Sequence, residues 1–378
     1  MSSLSHVHHY VPQWYQKVFF GDTQPKFYLQ LPTDVQVNSY PRYKSPRKRF
    51  CENDLYMLEY KNSQSDVLEK KLFGRIDEIG ANSIKQILST NNVLMPGEVW
   101  NDFLEYLDAQ LSRTPRALKF FNSYNVQVPN ASLVFMQCVR NIHMAMWADA
   151  VWEIFDATDS DIDFLLSDNP VTLYNRAIYP KSKEGQTGLE LNFTEIGTQT
   201  IFPLNRKQLF VATHIQFARN PKYNPRQQIL NPRVSGPGLI SMFDIIRCRK
   251  MTDTDVIKVN FIIKNRADKY ICASNKEFLY PEKMNKRIDW NNIGKNDFLL
   301  PDPRDLSFST QWVIGNDDGF VCGGNEYGQP FDNDKTIVCR DKENAVLQER
   351  RLYYDRRYGP LNRLPAYAQN RKDNTYRD

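Results

Sequence analysis

The hydrophobic pattern of this chain changes period once, near residue 156, and that change constrains the fold more than any single motif does. From Asp66 to Ile154 apolar residues recur at helical intervals, and beyond Ile162 they gather in short runs closed by turn residues. Asp66 and Glu69 have capping-box spacing and lead into Leu68, Leu72, Ile76 and Ile79, then Ile84, Ile87 and Leu88. Trp100, Phe103, Leu104, Leu107 and Leu111 form a second stripe, which should break before Pro115 because proline disfavours helix at the residue preceding it. A third helix is expected from an Asn130 cap through Met136, Val139, His143, Met146, Trp147 and Ile154. His143 lies on that apolar face, where a hydrogen-bonded core histidine is the ordinary reading and a contribution to a site is the alternative.

Strands are expected after the change. Residues 162–166 read as a buried strand running into Ser167-Asp168-Asn169-Pro170, and residues 171–174 as its continuation or partner. Residues 201–204 and 208–213 pair about 205–207, leaving His214 as a surface residue at a strand end. A long helix is expected from Thr252 or Asp253 to about Ser274, with Asn260 on its apolar face as a structural crosslink or a substrate contact. Residues 307–314 and 319–322 suit a hairpin, and 336–339 a further strand. Near the start, Pro12 opens a short helix anchored by Trp14, Val18 and Phe20, and residues 26–31 read as a strand. The fold class is therefore α+β: a helical N-terminal half packed on a small, mainly antiparallel sheet, with a β-rich C-terminal appendage. The main domain is expected over residues 1–275 and the extension over 276–378.

A chain of 378 residues with 13% aromatic side chains buries a substantial core. Its six cysteines are scattered without a C-x-x-C pair, which predicts reduced thiols and a cytoplasmic location. No run approaches the roughly 18 apolar residues of a membrane span, so no membrane partner is expected. Walker, G-x-G-x-x-G, H-E-x-x-H and G-x-S-x-G motifs are absent from the sequence, which removes the ordinary templates for nucleotide hydrolysis, dinucleotide binding and zincin proteolysis.

Three of the five histidines, His6, His8 and His9, fall within four residues at the N-terminus. Histidine titrates near neutrality and is the commonest nitrogen ligand of metals, so such a cluster is a candidate site. The His-His-x-x-Pro pattern is similar to the first half of a ββα-metal nuclease motif, but a second half at short spacing is missing, the next histidine being His143. The Ser167-Asp168-Asn169-Pro170 turn offers a carboxylate and an amide at a kink fixed by proline. His8, His9, Asp168 and Asn169 are accordingly the expected catalytic residues, and His6, His8 and Asp168 the expected ligands of a divalent metal, with His143 and Asn260 in support. Arg42, Lys44, Arg47, Lys48 and Arg49 interleave with aromatic residues and prolines, a composition suited to nucleic acid or to an exposed loop. The basic, aromatic C-terminal extension is a candidate surface for a protein partner or a second copy of the chain. The net charge of +5 suits an anionic partner without demanding one.

Taken in order, His8-His9-Tyr10-Val11-Pro12-Gln13-Trp14-Tyr15 followed by Val18-Phe19-Phe20, then Asn53-Asp54-Leu55-Tyr56 with Leu68-Glu69 and Glu78, then Phe164 to Val171, then Phe202-Pro203-Leu204, resemble the domain of unknown function 4238 family. Gln16 departs from the usual Leu of its opening pattern. The resemblance covers roughly residues 4–275 and implies no activity of its own. Two functions remain in view. One is a metal-dependent hydrolase or nuclease acting on a phosphodiester, a chemistry that would suit an effector in defence against mobile elements. The other is a non-catalytic binding or regulatory protein in which the histidines and the Asp168 turn are structural.

Overall fold

The computed structural model describes residues 4–20, 26–31, 42–43, 49–61, 63–89, 97–123, 130–140, 142–187, 190–229, 245–295, 297–307, 311–315, 321–325, 334–362 and 365. The chain opens with β1 (Val7–His9), α1 (Gln13–Phe20), β2 (Phe27–Gln30), β3 (Arg42–Tyr43), β4 (Cys51–Asn53) and a hairpin of β5 (Leu58–Tyr60) and β6 (Ser63–Ser65). Helices follow: α2 (Gly74–Ser89), α3 (Gly97–Ser112), α4 (Pro115–Asn122), α5 (Ala131–Cys138) and α6 (Ile142–Ala148). The later chain supplies β7 (Ala150–Asp156), β8 (Leu166–Ser167), β9 (Thr172–Asn175), β10 (Thr198–Pro203), β11 (Gln208–His214), α7 (Ile215–Arg219), β12 (Ile245–Lys250), α8 (Asp253–Arg266) and β13 (Tyr270–Ala273). It ends in α9 (Pro281–Met284), β14 (Gln311–Gly315), β15 (Val321–Asn325) and α10 (Asp334–Tyr358).

The architecture is α+β, with helices α2 to α6 preceding a main sheet of order β12-β7-β11-β10-β9. Its pairings are antiparallel except for β12 beside β7. A second sheet runs β3-β2-β13-β8 and ties the N-terminal segment to the chain after α8. Helix α3 packs on the main sheet through the expected stripe: Trp100 meets Trp152 at 5.2 Å between ring centroids and Phe103 meets Phe210 at 5.0 Å. Burying a phenylalanine ring in this way stabilises by roughly 1.5 to 3 kcal/mol. Helix α2 approaches α3 closely because Gly80 has no Cβ; one built there would lie 2.4 Å from the Tyr106 ring. The break before α4 falls where proline requires it, with the Thr114 hydroxyl capping the Ala117 N–H at 3.3 Å.

The structure corrects several element boundaries. The third helix does not reach Ile154, because residues 150–156 are strand β7, paired on both sides by β11 and β12. Trp152, Ile154 and Phe155 are residues that suit a sheet, and the pairing overrides the helical spacing. The helix opened by the Thr252–Asp255 capping box stops at Arg266, and Tyr270–Ala273 is a strand between β2 and β8. In α1 the buried residues are Tyr15, Gln16, Phe19 and Phe20; of the expected anchors Phe20 is buried and Trp14 packs partly buried against the core, while Val18 is 44% exposed. His214, expected at the surface, is buried at the end of β11, where it pairs with Ala150. The expected hairpin forms as β14–β15, but residues 336–339 lie inside α10.

Packing continues past residue 276, since Leu279 and Leu299 belong to the main core. Helix α10 covers the far side of the sheet, burying Leu347 beside Ile215, Ala218 and Ile246, and Arg350 donates to the Ala218 carbonyl at 2.6 Å. Among the described residues no helix is long and apolar enough to cross a membrane.

Candidate functional site

Strand alternation turns His8 inward between the exposed Val7 and the half-buried His9, while His6, just before β1, lies at the surface. The His8 ring is buried; Nε2 lies 2.8 Å from the Ser5 carbonyl, and Nδ1 accepts the Tyr56 backbone N–H at 2.9 Å. These partners assign the neutral Nε2–H tautomer, and the ring stacks on Tyr56 at 5.5 Å. Both nitrogens therefore hold backbone. His6 meets Asp54 at 2.7 Å at the exposed end of the β1–β4 pair. His9 is half-buried, with Nε2 3.3 Å from Gln13 Nε2 and its backbone N–H on the Glu69 carboxylate.

Asp168 is equally committed. One carboxylate oxygen accepts the Asp268 N–H at 2.8 Å, and the other accepts those of Lys269 at 2.6 Å and Tyr270 at 2.8 Å. Burial pushes its carboxyl up to about 6 against the pull of these three bonds. From the N-terminal motif it is Tyr10 that lies within electrostatic reach: burial, then the Asp168 charge, raise its phenol above the ordinary range. The expected meeting is of the His8 or His9 imidazole with the Asp168 carboxylate in one cavity; in the fold the His8 nitrogens and the Asp168 oxygens are engaged by backbone, and the chain start comes near Asp168 through Tyr10. The side chains of His6, His8 and Asp168 do not assemble as a ligand set: among the described residues no group of three or more His, Cys, Asp or Glu side chains is placed to hold a metal ion.

Asn169 points elsewhere. It lines a cavity of about 520 Å³ that also takes in the end of α3, helices α4 and α5, His143, residues 190–193 and Arg266. This is the volume of a small-molecule pocket. Phe120, Phe121, Phe135, Val139 and Phe193 supply apolar wall, and Arg116, His143, Asn169, Glu190 and Arg266 supply polar groups. His143, on α6, places Nδ1 2.6 Å from Asp108 Oδ1, on α3, with the carboxylate side chain 1% exposed and the imidazole 17% exposed. A buried carboxylate accepting from Nδ1–H leaves Nε2 with its lone pair on the ring that faces the cavity. Phe193 packs edge-on against the ring at 4.9 Å and fixes its plane. The lining thus combines an imidazole oriented by Asp108 with the side chains of Arg116 and Arg266.

The Asp168 turn builds the floor of this cavity from behind. By gripping residues 268–270 it fixes the chain just after Arg266, whose carbonyl accepts Asn169 Nδ2 at 3.3 Å and Arg116 NH1 at 3.0 Å. Asn260 is a crosslink, bonded to the Leu165 N–H at 2.9 Å and the Asp163 carbonyl at 2.8 Å. Of the expected nucleic-acid residues, Lys44, Arg47 and Lys48 and the side chain of Arg42 lie outside the described residues; Arg49 stands over the rings of Tyr28 and Tyr270 at 5.8 and 4.9 Å. Sequence reasoning missed Asp108, Arg116, Glu190 and Arg266. The one available signal was Asp108, a carboxylate four residues after Leu104 on an otherwise apolar stripe, which needs a buried partner.

A second cluster of charge lies near His9. The buried Arg113 pairs with Asp77 at 2.8 Å, and burial, aided by the Asp77 charge, raises Glu69 to about 7 against the pull of Arg113. The folded chain thus binds the Glu69 proton more tightly than the unfolded one, whose carboxyl titrates near 4.5. The stability this contributes is full below about 4.5 and is lost as pH rises through about 7. We expect Glu69→Gln to narrow the difference in melting temperature between pH 5 and pH 8, measured by calorimetry; an unchanged difference would remove Glu69 as its source.

A family model described as "Protein of unknown function (DUF4238)" matches residues 7–277. Neither the curated proteins nor the solved structures gave a match to this chain.

Proposed function

The chain belongs to the DUF4238 family; we propose that the cavity between α3, α4, α5 and residues 190–193 is the active site of a hydrolase acting on a small phosphodiester or related anionic ester. The observation that carries this reading is the Asp108–His143 pair at 2.6 Å opening onto a cavity that holds two arginines. His143 Nε2 takes the proton of a water as it attacks phosphorus, and the Asp108 carboxylate stabilises the imidazolium that forms. Arg116 and Arg266 seat the anionic oxygens and offset the charge that grows on them in the transition state. The proton then passes from imidazolium to the departing alkoxide. A cavity of about 520 Å³ matches a mononucleotide-sized substrate and excludes duplex nucleic acid from the interior.

The test is hydrolysis of bis(p-nitrophenyl) phosphate by purified protein, run in chelator and again with Mg²⁺ or Mn²⁺, which also examines the divalent metal expected from the histidine cluster. Release of p-nitrophenol that disappears in His143→Gln supports the reading. A second reading, a binding or regulatory protein without chemistry, is favoured by the backbone bonding of His8 and Asp168. It expects ligand to bind this cavity with no turnover in either assay. A role as a defence effector, and the C-terminal extension as a partner surface, stay proposals for cellular experiments.

A further inference from the structure

Two arginines that line the cavity meet at a single glutamate. Arg116 and Arg266 share one carboxylate, Glu190, whose Oε1 meets Arg116 Nε and whose Oε2 lies 3.1 Å from Arg266 NH2. The carboxylate side chain is 32% exposed, while the two guanidinium side chains are 16% and 10% exposed. Glu190 is therefore the member of the trio with room to leave. Arg116 has a second anchor in the Arg266 carbonyl, and the backbone that carries Arg266 is held by the Asn169 amide. Burial and then the like charge of Arg116 bring Arg266 down to about 10, a direction that an added anion would reverse.

Resting on the reading of the cavity as an anion site, we infer that Glu190 is a stand-in for the ligand: it holds the two-arginine seat until a phosphate or carboxylate on an aromatic body displaces it. The planar forks of two arginines match the oxygens of a phosphate in two-point fashion, as they do a carboxylate, and a phosphate brings more acceptor oxygens and more charge to the seat. Glu190, the most exposed of the three side chains, can exchange its bonds to the arginines for water while the ligand's own oxygens replace them there. The aromatic body packs against Phe120, Phe121 and Phe193, next to His143 Nε2. Glu190 then sets a threshold for entry: ligands that carry a strong anionic group displace it, and neutral ones of the same shape do not.

The probes are phenyl phosphate, inorganic phosphate and phenol, titrated calorimetrically into the full chain. Phenyl phosphate is expected to bind more tightly than phosphate, and phenol not at all. Glu190→Gln should tighten phenyl phosphate by about tenfold, the gain from removing a competing partly exposed ion pair, and Arg266→Gln should weaken it by about tenfold or more. Glu190→Asp, too short to bridge both arginines, serves as a second variant should the glutamine form fold poorly, and it too should tighten binding. The inference is overturned if either Glu190 variant binds phenyl phosphate no better than the unaltered chain, or if none of the three proteins binds it. Its failure is separable from that of the proposed chemistry: tighter binding without turnover keeps Glu190 and ends the hydrolase, whereas His143-dependent turnover with weaker binding in the Glu190 variants does the reverse.

Discussion

Replacing His143 by glutamine is expected to lower kcat for bis(p-nitrophenyl) phosphate by about 10² to 10⁴-fold, the usual contribution of a positioned general base. KM should stay within a few-fold, because the arginines that seat the substrate are untouched. The same assay on Asp108→Asn should show a comparable fall. The asparagine carbonyl preserves the bond to Nδ1–H less strongly, and its NH₂, if turned inward, draws Nδ1 into the acceptor role and puts the proton on Nε2, where the base is needed. Steady-state kinetics with melting temperatures recorded in parallel separates chemistry from folding. His143→Gln retaining more than a third of the rate would leave the Asp108–His143 pair with a purely structural role. His8→Gln gives the contrast: with both of its ring nitrogens on backbone, its effect should appear in stability and leave the rate per folded molecule unchanged.

Asp168→Ala is expected to destabilise the chain by about 3 to 5 kcal/mol, because three backbone N–H groups of a half-buried segment lose a buried acceptor at once and each costs about 1 to 3 kcal/mol when left unsatisfied, with partial relaxation. Asp168→Asn keeps a carbonyl oxygen for some of these bonds and should cost less. Denaturant unfolding at constant slope measures both. The anion seat is coupled to this loop through Arg266, so phenyl phosphate should bind the folded Asp168→Asn protein more weakly than the unaltered chain. A cost below about 1 kcal/mol for the alanine variant would show that the loop finds other partners, and the turn would lose its place in building the cavity.

The main features of the fold were legible in the sequence because each rests on a local rule. The stripe Trp100 to Leu107 packs as spacing requires, and Thr114-Pro115 separates α3 from α4 through a cap and a fixed φ. Residues 150–156 and 267–274 were misread because what decides them is pairing with strands far along the chain. Residues 268–270 also give their N–H groups to a carboxylate a hundred residues earlier, which no helical periodicity records.

The site divides the same way. Asn169 and His143 were singled out and do line one cavity, and the Asp168 kink was correctly seen as a fixed point, though it clamps backbone. The histidine cluster drew attention by composition alone, and strand alternation placed its central member inside the fold. Arg116, Glu190 and Arg266 come from three separate segments whose local sequence is that of ordinary surface positions. Only the tertiary structure shows that two cations meet over one carboxylate.

With five histidines in the chain, each imidazole can be followed individually by nitrogen-correlated NMR while phenyl phosphate is added. The cavity account expects His143 to appear as the Nδ1–H tautomer and its signals to shift on titration, with those of His6, His8 and His9 staying in place. Shifts confined to the N-terminal histidines, with His143 unmoved at saturating phenyl phosphate, would contradict it.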